Sequence, residues 1–236
     1  MITSPPLVAM IHAVPAAHRT AHEAFAQQFP QATVWNVLDD RLLVDANAAG
    51  GLTDALRRRM LRLIGHVMDG GAQGLLLTCS SYGEVVDTAR TLWDVPVLKS
   101  DESMFKAALA GPYRRIAVVA SVPPAVPAAV AQLQALVPAL RPGRPVDIVT
   151  ALSEDAAGAT DPRTAARHLA EALRAADGTD VDAVLLAQYS LTPARDALAD
   201  LLGVPVLDGA GTAARELRGL LLPAEQQAAP APVVTP

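Results

Sequence analysis

Residues 74–83 read Gly-Leu-Leu-Leu-Thr-Cys-Ser-Ser-Tyr-Gly, an apolar run that ends abruptly in small polar side chains. Such a run is typical of a parallel strand buried on both faces, and ligands of open α/β sheets bind just beyond the carboxyl ends of the strands. The chain's single cysteine, Cys79, lies at this end. A thiol among hydroxyls and backbone N–H groups could act as a base or a nucleophile. The alternative is an inert, buried cysteine.

The chain repeats itself after about half its length. Val95-Pro96-Val97-Leu98 returns as Val204-Pro205-Val206-Leu207, an offset of 109 residues (204 − 95). The same offset relates residues 7–11 to 116–120 and residues 74–81 to 183–190. Three landmarks in register predict two copies of one α/β unit. The offset pairs positions at the strand ends: His12 with Ser121, Cys79 with Gln188, Ser80 with Tyr189, Ser81 with Ser190 and Lys99 with Asp208.

Strand and helix patterns alternate along both copies, which predicts an α/β fold of two pseudo-symmetric domains, each a parallel sheet with helices on both faces. The expected first domain spans residues 1–112 and the second spans 113–208. A C-terminal helix at 209–222 is expected to pack back on the first domain, and the Pro/Ala-rich tail 223–236 is expected to be disordered. The expected strands are 7–11, 33–38, 75–78, 95–98, 116–120, 146–150, 183–187 and 204–207.

Composition excludes several functional classes. A net charge of −5 and a pI near 5.5 provide no basic surface for nucleic acid, and no apolar run is long enough to cross a membrane. The N-terminus lacks the basic region of a signal peptide, so a cytoplasmic protein is expected. The Cys/His spacings of a zinc site and the glycine fingerprints of nucleotide sites are absent, so we expect no metal and no cofactor. A homo-oligomer is compatible with all these features.

The duplicated units and their Thr-Cys-Ser-like strand end resemble the aspartate/glutamate/hydantoin racemase superfamily. The resemblance extends to about Leu222 and is carried by Leu77-Thr78-Cys79-Ser80-Ser81, by Val95-Pro96-Val97-Leu98 and by the matching end in the second copy. It implies an active site in the cleft between the halves and a cofactor-independent reaction on a small carboxylate or hydantoin-like cyclic ureide. In the two-base racemases of that superfamily, each half contributes one cysteine. Arylmalonate decarboxylases and maleate isomerases belong to the same superfamily.

The sequence departs from the two-base pattern, because Gln188 stands where the second cysteine would be. A symmetric thiol/thiol racemase is therefore excluded. One hypothesis is proton transfer by Cys79 with a non-thiol partner, as in an asymmetric racemase, an isomerase or a decarboxylase. A second makes Cys79 the nucleophile of a hydrolase or desulfhydrase that acts on a (thio)hydantoin-type ring. The third is a non-enzymatic, two-lobed small-molecule binder.

Two further residues are catalytic candidates beside Cys79. His12 ends the first strand and is either a proton donor or a neutral, hydrogen-bonded histidine. Tyr189 lies at the matching end in the second copy, and it is either a general acid or oxyanion donor or a half-buried aromatic residue that lines the site.

The remaining candidates are substrate-binding residues. Ser80 and Ser81 either bind a carboxylate at the turn into the next helix or simply cap that helix. Lys99 either holds a substrate carboxylate or supports the thiolate, with Glu102 orienting it; the alternative is a solvated Lys–Glu pair at the start of a helix. From the second half, we expect hydrogen bonds from Ser121, Gln188 and Ser190.

Overall fold

The computed structural model describes residues 4–223 of the chain. Its eight strands are β1 (Leu7–His12), β2 (Thr33–Leu38), β3 (Gly74–Leu77), β4 (Val97–Leu98), β5 (Arg115–Ala120), β6 (Asp147–Leu152), β7 (Ala183–Leu186) and β8 (Val206–Asp208). The α-helices of this part of the chain are α1 (Pro15–Gln28), α2 (Arg41–Ala48), α3 (Asp54–Asp69), α4 (Gly83–Leu92), α5 (Glu102–Ala110), α6 (Ala125–Leu140), α7 (Pro162–Ala175), α8 (Arg195–Leu202) and α9 (Gly209–Leu221).

The strands form two parallel sheets of the same topology. The first has the order β2-β1-β3-β4 and the second the order β6-β5-β7-β8. The central strands are apolar because helices cover both of their faces, and all four residues of β3 are buried. The predicted fold class, α/β with two parallel sheets, is confirmed.

Helix α3 shows how the local sequence produces these elements. The Thr53 hydroxyl accepts a hydrogen bond from Leu56 N at 3.3 Å, which caps the helix. The buried residues of α3 recur at helical spacing, so one face of the helix packs on the sheet; they are Leu56, Met60, Ile64 and Val67.

The chain divides into two compact units whose boundary lies earlier than the expected 112/113. Among the described residues, the first unit comprises 4–100 with 213–223 and the second comprises 101–212. Helix α5 belongs to the second unit, because Phe105 and Leu109 are buried in the core that contains Ile116 of β5. Helix α9 packs against β3 of the first unit: a Cβ at Gly74 would lie 3.0 Å from Leu221 Cδ1.

The two strand ends that carry Cys79 and Gln188 are built alike. The Cys79 carbonyl accepts a hydrogen bond from Tyr82 N, and the Gln188 carbonyl accepts one from Leu191 N, both at 3.2 Å. Each residue therefore opens a short 3-10 turn directly after its strand, Ser80–Tyr82 in the first unit and Tyr189–Ala194 in the second. The backbone thus gives Cys79 and Gln188 equivalent places.

The predicted pairing of His12 with Ser121 is wrong by one residue. His12 is the last residue of β1 and pairs with the last residue of β2. In the second unit, the last residue of β5 is Ala120, which pairs with the last residue of β6. The residue before His12 pairs with the last residue of β3, and the residue before Ala120 pairs with the last residue of β7. The first strands are therefore offset by 108 residues (120 − 12), not 109. Because side chains alternate along a strand, a one-residue shift reverses the face they occupy.

Other expected boundaries need smaller corrections. The strand expected at 95–98 is confined to Val97–Leu98, and α8 begins only at Arg195, after the 3-10 turn. Helix α2 is not among the predicted helices, whereas α5 begins at Glu102, where one of the alternatives for Lys99 and Glu102 has a helix start. The expected disordered tail, 223–236, lies outside the described residues except for Pro223. Within residues 4–223, no helix has the length and apolar character needed to span a membrane.

Candidate functional site

Cys79 lies at the carboxyl end of β3 with a half-buried side chain. Ser80 and Ser81 follow it, and both are exposed in the 3-10 turn that leads into α4. The N-cap residues of this turn and of α4 are Cys79 and Tyr82, so neither serine stands at an N-cap position. The hydroxyls at this strand end are therefore available to a ligand.

His12 is fully buried beside the strand end that carries Cys79. Its Nδ1 lies 3.0 Å from Thr78 Oγ1, and its Nε2 lies 2.9 Å from Asn36 Oδ1. Because an amide oxygen only accepts, Nε2 carries the proton. Burial lowers the pKa of His12 to about 4, although the hydrogen bond with Asn36 opposes this shift; the charge of nearby His18 lowers the pKa further. His12 is therefore neutral at physiological pH and fixes the position of Thr78, the residue before Cys79.

Lys99 and Glu102 do not form the expected pair. Lys99 Nζ lies 2.8 Å from Asp87 Oδ2 of α4, and Glu102 Oε1 lies 3.0 Å from Lys106 Nζ. The expectation that Glu102 orients Lys99 is therefore wrong. The ammonium group of Lys99 is instead held at α4, the helix that follows Cys79.

Gln188, the counterpart of Cys79, has its amide oxygen surrounded by donors. Gln188 Oε1 accepts hydrogen bonds from Ser121 N at 2.5 Å, from Ser121 Oγ at 3.2 Å and from Val122 N at 3.3 Å. Successive backbone N–H groups of this kind form a concavity that suits an anionic oxygen. The side chain of Gln188 thus occupies an oxyanion-type position at the end of β5.

Tyr189 is buried directly after Gln188, whereas Ser190 is exposed. Burial raises the pKa of Tyr189 well above its usual value, and the carboxylates of Asp101 and Asp208 raise it further. The phenol therefore keeps its proton throughout the physiological range. It can donate a hydrogen bond, but it cannot serve as a base.

The candidates from the sequence omit a buried carboxylate network at the end of β8. Asp208 is 1% exposed; its Oδ1 accepts from Gly211 N at 2.7 Å, and its Oδ2 lies 3.1 Å from Arg195 Nη1. Thr192 Oγ1 also contacts Oδ1, at 3.4 Å. Asp208 therefore fixes the start of α9 and forms an ion pair with Arg195.

Two other contributors were missed, and each leaves a signal in the sequence. Asn36 is a polar residue inside the apolar strand β2, and Thr78 is the first polar residue after β3. Asn36 is half-buried and Thr78 is buried, and a polar group withdrawn from water requires a hydrogen-bond partner, which here is His12. In residues 4–223, no cluster of three or more His, Cys, Asp or Glu side chains could hold a metal ion.

The duplicated fold is that of racemase and decarboxylase structures. Glutamate racemase from Thermus thermophilus is 18% identical with a TM-score of 0.62, covering 92% of this chain and 81% of that one. Allantoin racemase from Klebsiella pneumoniae is 17% identical with a TM-score of 0.64 and coverage of 92% and 87%. The Gly74Cys mutant of arylmalonate decarboxylase, in its sulfate-associated form, is 18% identical with a TM-score of 0.63 and coverage of 91% and 94%.

The profile described as Asp/Glu/Hydantoin racemase matches residues 8–217. The chain therefore belongs to the Asp/Glu/hydantoin racemase family, as its resemblance predicted. No curated protein sequence matches it significantly.

Proposed function

We propose that this protein is a cofactor-independent enzyme in which Cys79 delivers one proton to a carbon atom of a small carboxylate, as in a decarboxylase. The observation that carries the proposal is the difference between the two equivalent strand ends. One holds a thiol and the other holds a carboxamide whose oxygen is already hydrogen-bonded. A carboxamide does not exchange a proton with carbon at physiological pH. Of these two strand ends, only the one with the thiol can therefore transfer a proton to the substrate.

Decarboxylation requires only one such group. The bond between the α-carbon and the departing carboxylate breaks, carbon dioxide leaves, and the electron pair remains on the α-carbon as an enolate. The Cys79 thiol then donates its proton to that carbon, and solvent reprotonates the thiolate. Racemisation needs a second base instead, and Tyr189, with its raised pKa, does not supply one.

The exposed hydroxyls of Ser80 and Ser81 support the binding of a carboxylate beside Cys79. Structures with this fold include a racemase of glutamate and a decarboxylase of arylmalonates, both of which act on carboxylates. These relatives are isomerases and lyases, so they lend no support to the hydrolase or desulfhydrase hypothesis. A small carboxylate is therefore the proposed substrate class, and a cyclic ureide such as allantoin is the alternative.

The test is incubation in deuterium oxide with substituted malonates, L- and D-amino acids, maleate and hydantoins. We expect a malonate to give a product with one deuterium atom at the α-carbon and predominantly one enantiomer. Cys79→Ala should lower the rate by about 100-fold or more, the range for removing a general acid. Cys79→Ser provides a near-isosteric control for folding.

Three results would contradict the proposal. Undiminished turnover by Cys79→Ala would exclude a role for the thiol. Cys79-dependent deuterium in recovered, racemised amino acids would indicate a second base. Ring opening or sulfide release without exchange at carbon would make Cys79 a nucleophile.

A further inference from the structure

The hydrogen-bond donors around Gln188 determine how its carboxamide is oriented. Two backbone N–H groups and one hydroxyl, from Ser121 and Val122, point at one end of its carboxamide. If the carboxamide were reversed, its NH₂ group would face these N–H donors. The oxygen must therefore face Ser121 and Val122, and Nε2 must face the other way.

The outward end of this carboxamide is its NH₂ group, which can donate two hydrogen bonds. The side chain is half-buried at the carboxyl end of β7, the edge of the sheet where ligands of α/β proteins bind. Within residues 4–223, the structure assigns no protein acceptor to Gln188 Nε2, so both of its N–H bonds are available. Fixing the oxygen also removes the entropy cost of orienting the donor group when a ligand arrives.

We propose that Gln188 Nε2 is a fixed hydrogen-bond donor to a substrate carboxylate or enolate oxygen, in place of a second thiol. This inference rests on the proposed function and specifies its substrate class: the ligand must present an anionic or carbonyl oxygen to Gln188. Because the donor is preorganised, it stabilises negative charge on that oxygen as the α-carbon loses its carboxylate. Gln188 is accordingly a binding residue and not a proton carrier.

Gln188→Glu separates this role from a purely structural one. The new carboxylate can still accept the hydrogen bonds from Ser121 and Val122, but its second oxygen is an acceptor with negative charge. We expect the thermal midpoint to stay close to that of the wild type, while kcat/KM for a malonate falls by about 100-fold or more. The matched control is Gln134→Glu, an exposed site on α6 with the same change of charge, and it should retain wild-type turnover.

Binding is measured separately from turnover. In the Cys79→Ser protein, the side-chain ¹⁵N–¹H signals of Gln188 are identified by their absence in the Cys79→Ser/Gln188→Glu protein. They are then followed during titration with phenylmalonate, L-glutamate or hydantoin. We expect phenylmalonate to shift these signals, and we expect Gln188→Glu to weaken its binding by about tenfold or more, because a donor is replaced by a like charge.

The outcomes distinguish this inference from the proposed function. If Gln188→Glu binds and turns over phenylmalonate like the wild type, the inference is wrong and the proton-transfer proposal stands. If phenylmalonate shifts the Gln188 signals but is not decarboxylated, the proposed reaction is wrong and the donor role stands. If none of the three ligands shifts these signals, the donor role is overturned regardless of turnover.

Discussion

His12 combines complete burial with hydrogen bonds at both ring nitrogens. Its pKa of about 4 in the folded protein lies below the ordinary value of 6.5. Between these two pH values, the unfolded chain binds a proton that the folded protein does not bind. The free energy of unfolding should therefore fall as the pH decreases from 6.5 towards 4, by up to about 3 kcal/mol from this group.

Urea denaturation at several pH values between 7 and 4.5 checks this prediction for His12. His12→Gln should be less stable at pH 7, because Asn36 and Thr78 lose their partner, but its stability should depend less on pH. His22→Gln, at an exposed position on α1, is the control and should keep the wild-type pH dependence. Equal slopes for His12→Gln and the wild type would show that His12 does not titrate as described.

The sequence predicts the relative positions of candidate-site residues only where the backbone register fixes those positions. Cys79 and Gln188 are correctly paired because the third strands keep a constant offset and the same turn follows each. His12 and Ser121 are wrongly paired because the first strands are uniformly apolar, and a uniform run fits two registers equally well. The partners of Lys99 could not be predicted, because an ion pair depends on how the packed helices bring side chains together.

Helix α2 depends on tertiary contacts for its stability, since eight residues are too few for a stable isolated helix. Arg59 of α3 holds both ends of the α2 region: Nη2 lies 2.7 Å from Asp39 Oδ1, and Nη1 lies 2.9 Å from Asp45 Oδ2. Tyr82 adds a hydrogen bond from its hydroxyl to the Leu42 carbonyl at 2.8 Å. The same dependence explains why no local pattern in the sequence predicts α2.

Arg59→Leu should therefore loosen α2 before it affects the rest of the first unit. Both ion pairs are partly exposed, so after allowance for solvent screening we expect a loss of about 1 kcal/mol. Hydrogen exchange should accelerate at the amides of α2 and remain slow in α3. Arg58→Leu, at an exposed neighbouring position, should leave exchange in α2 unchanged. Similar acceleration in both variants would mean that the Arg59 ion pairs do not hold the helix.

At the scale of the molecule, the first unit is discontinuous in sequence, because the chain leaves it after Ser100 and returns at Ala213. The expectation that a C-terminal helix packs on the first half follows from sequence because that helix comes after the second copy of the repeat. The boundary at Ser100 does not follow, since α5 joins the second unit through the packing of buried residues such as Phe105 and Leu109. Local patterns show where a helix forms but not which core it joins.

The returning helix α9 should be essential to the first unit. Leu217 of α9 is fully buried, and its Cδ2 would lie only 3.2 Å from a Cβ at Gly74, so the helix packs closely against β3. Leu217→Ala should lower the free energy of unfolding by about 2–4 kcal/mol, the usual cost of a cavity in a core. The matched control is Leu220→Ala, because Leu220 is 58% exposed on the same helix, and its cost should be small.

Hydrogen exchange of the Leu217→Ala protein shows which unit bears this loss. The core that contains Leu75 and Leu77 of β3 is built from residues of the first unit, and the cores that contain Val184 and Leu185 of β7 are built from residues of the second. The amides of β1 and β3 should therefore lose protection, while those of β5 and β7 should keep it. An equal loss in all four strands would show instead that the two units unfold as one cooperative structure, so that the stability of each depends on the other.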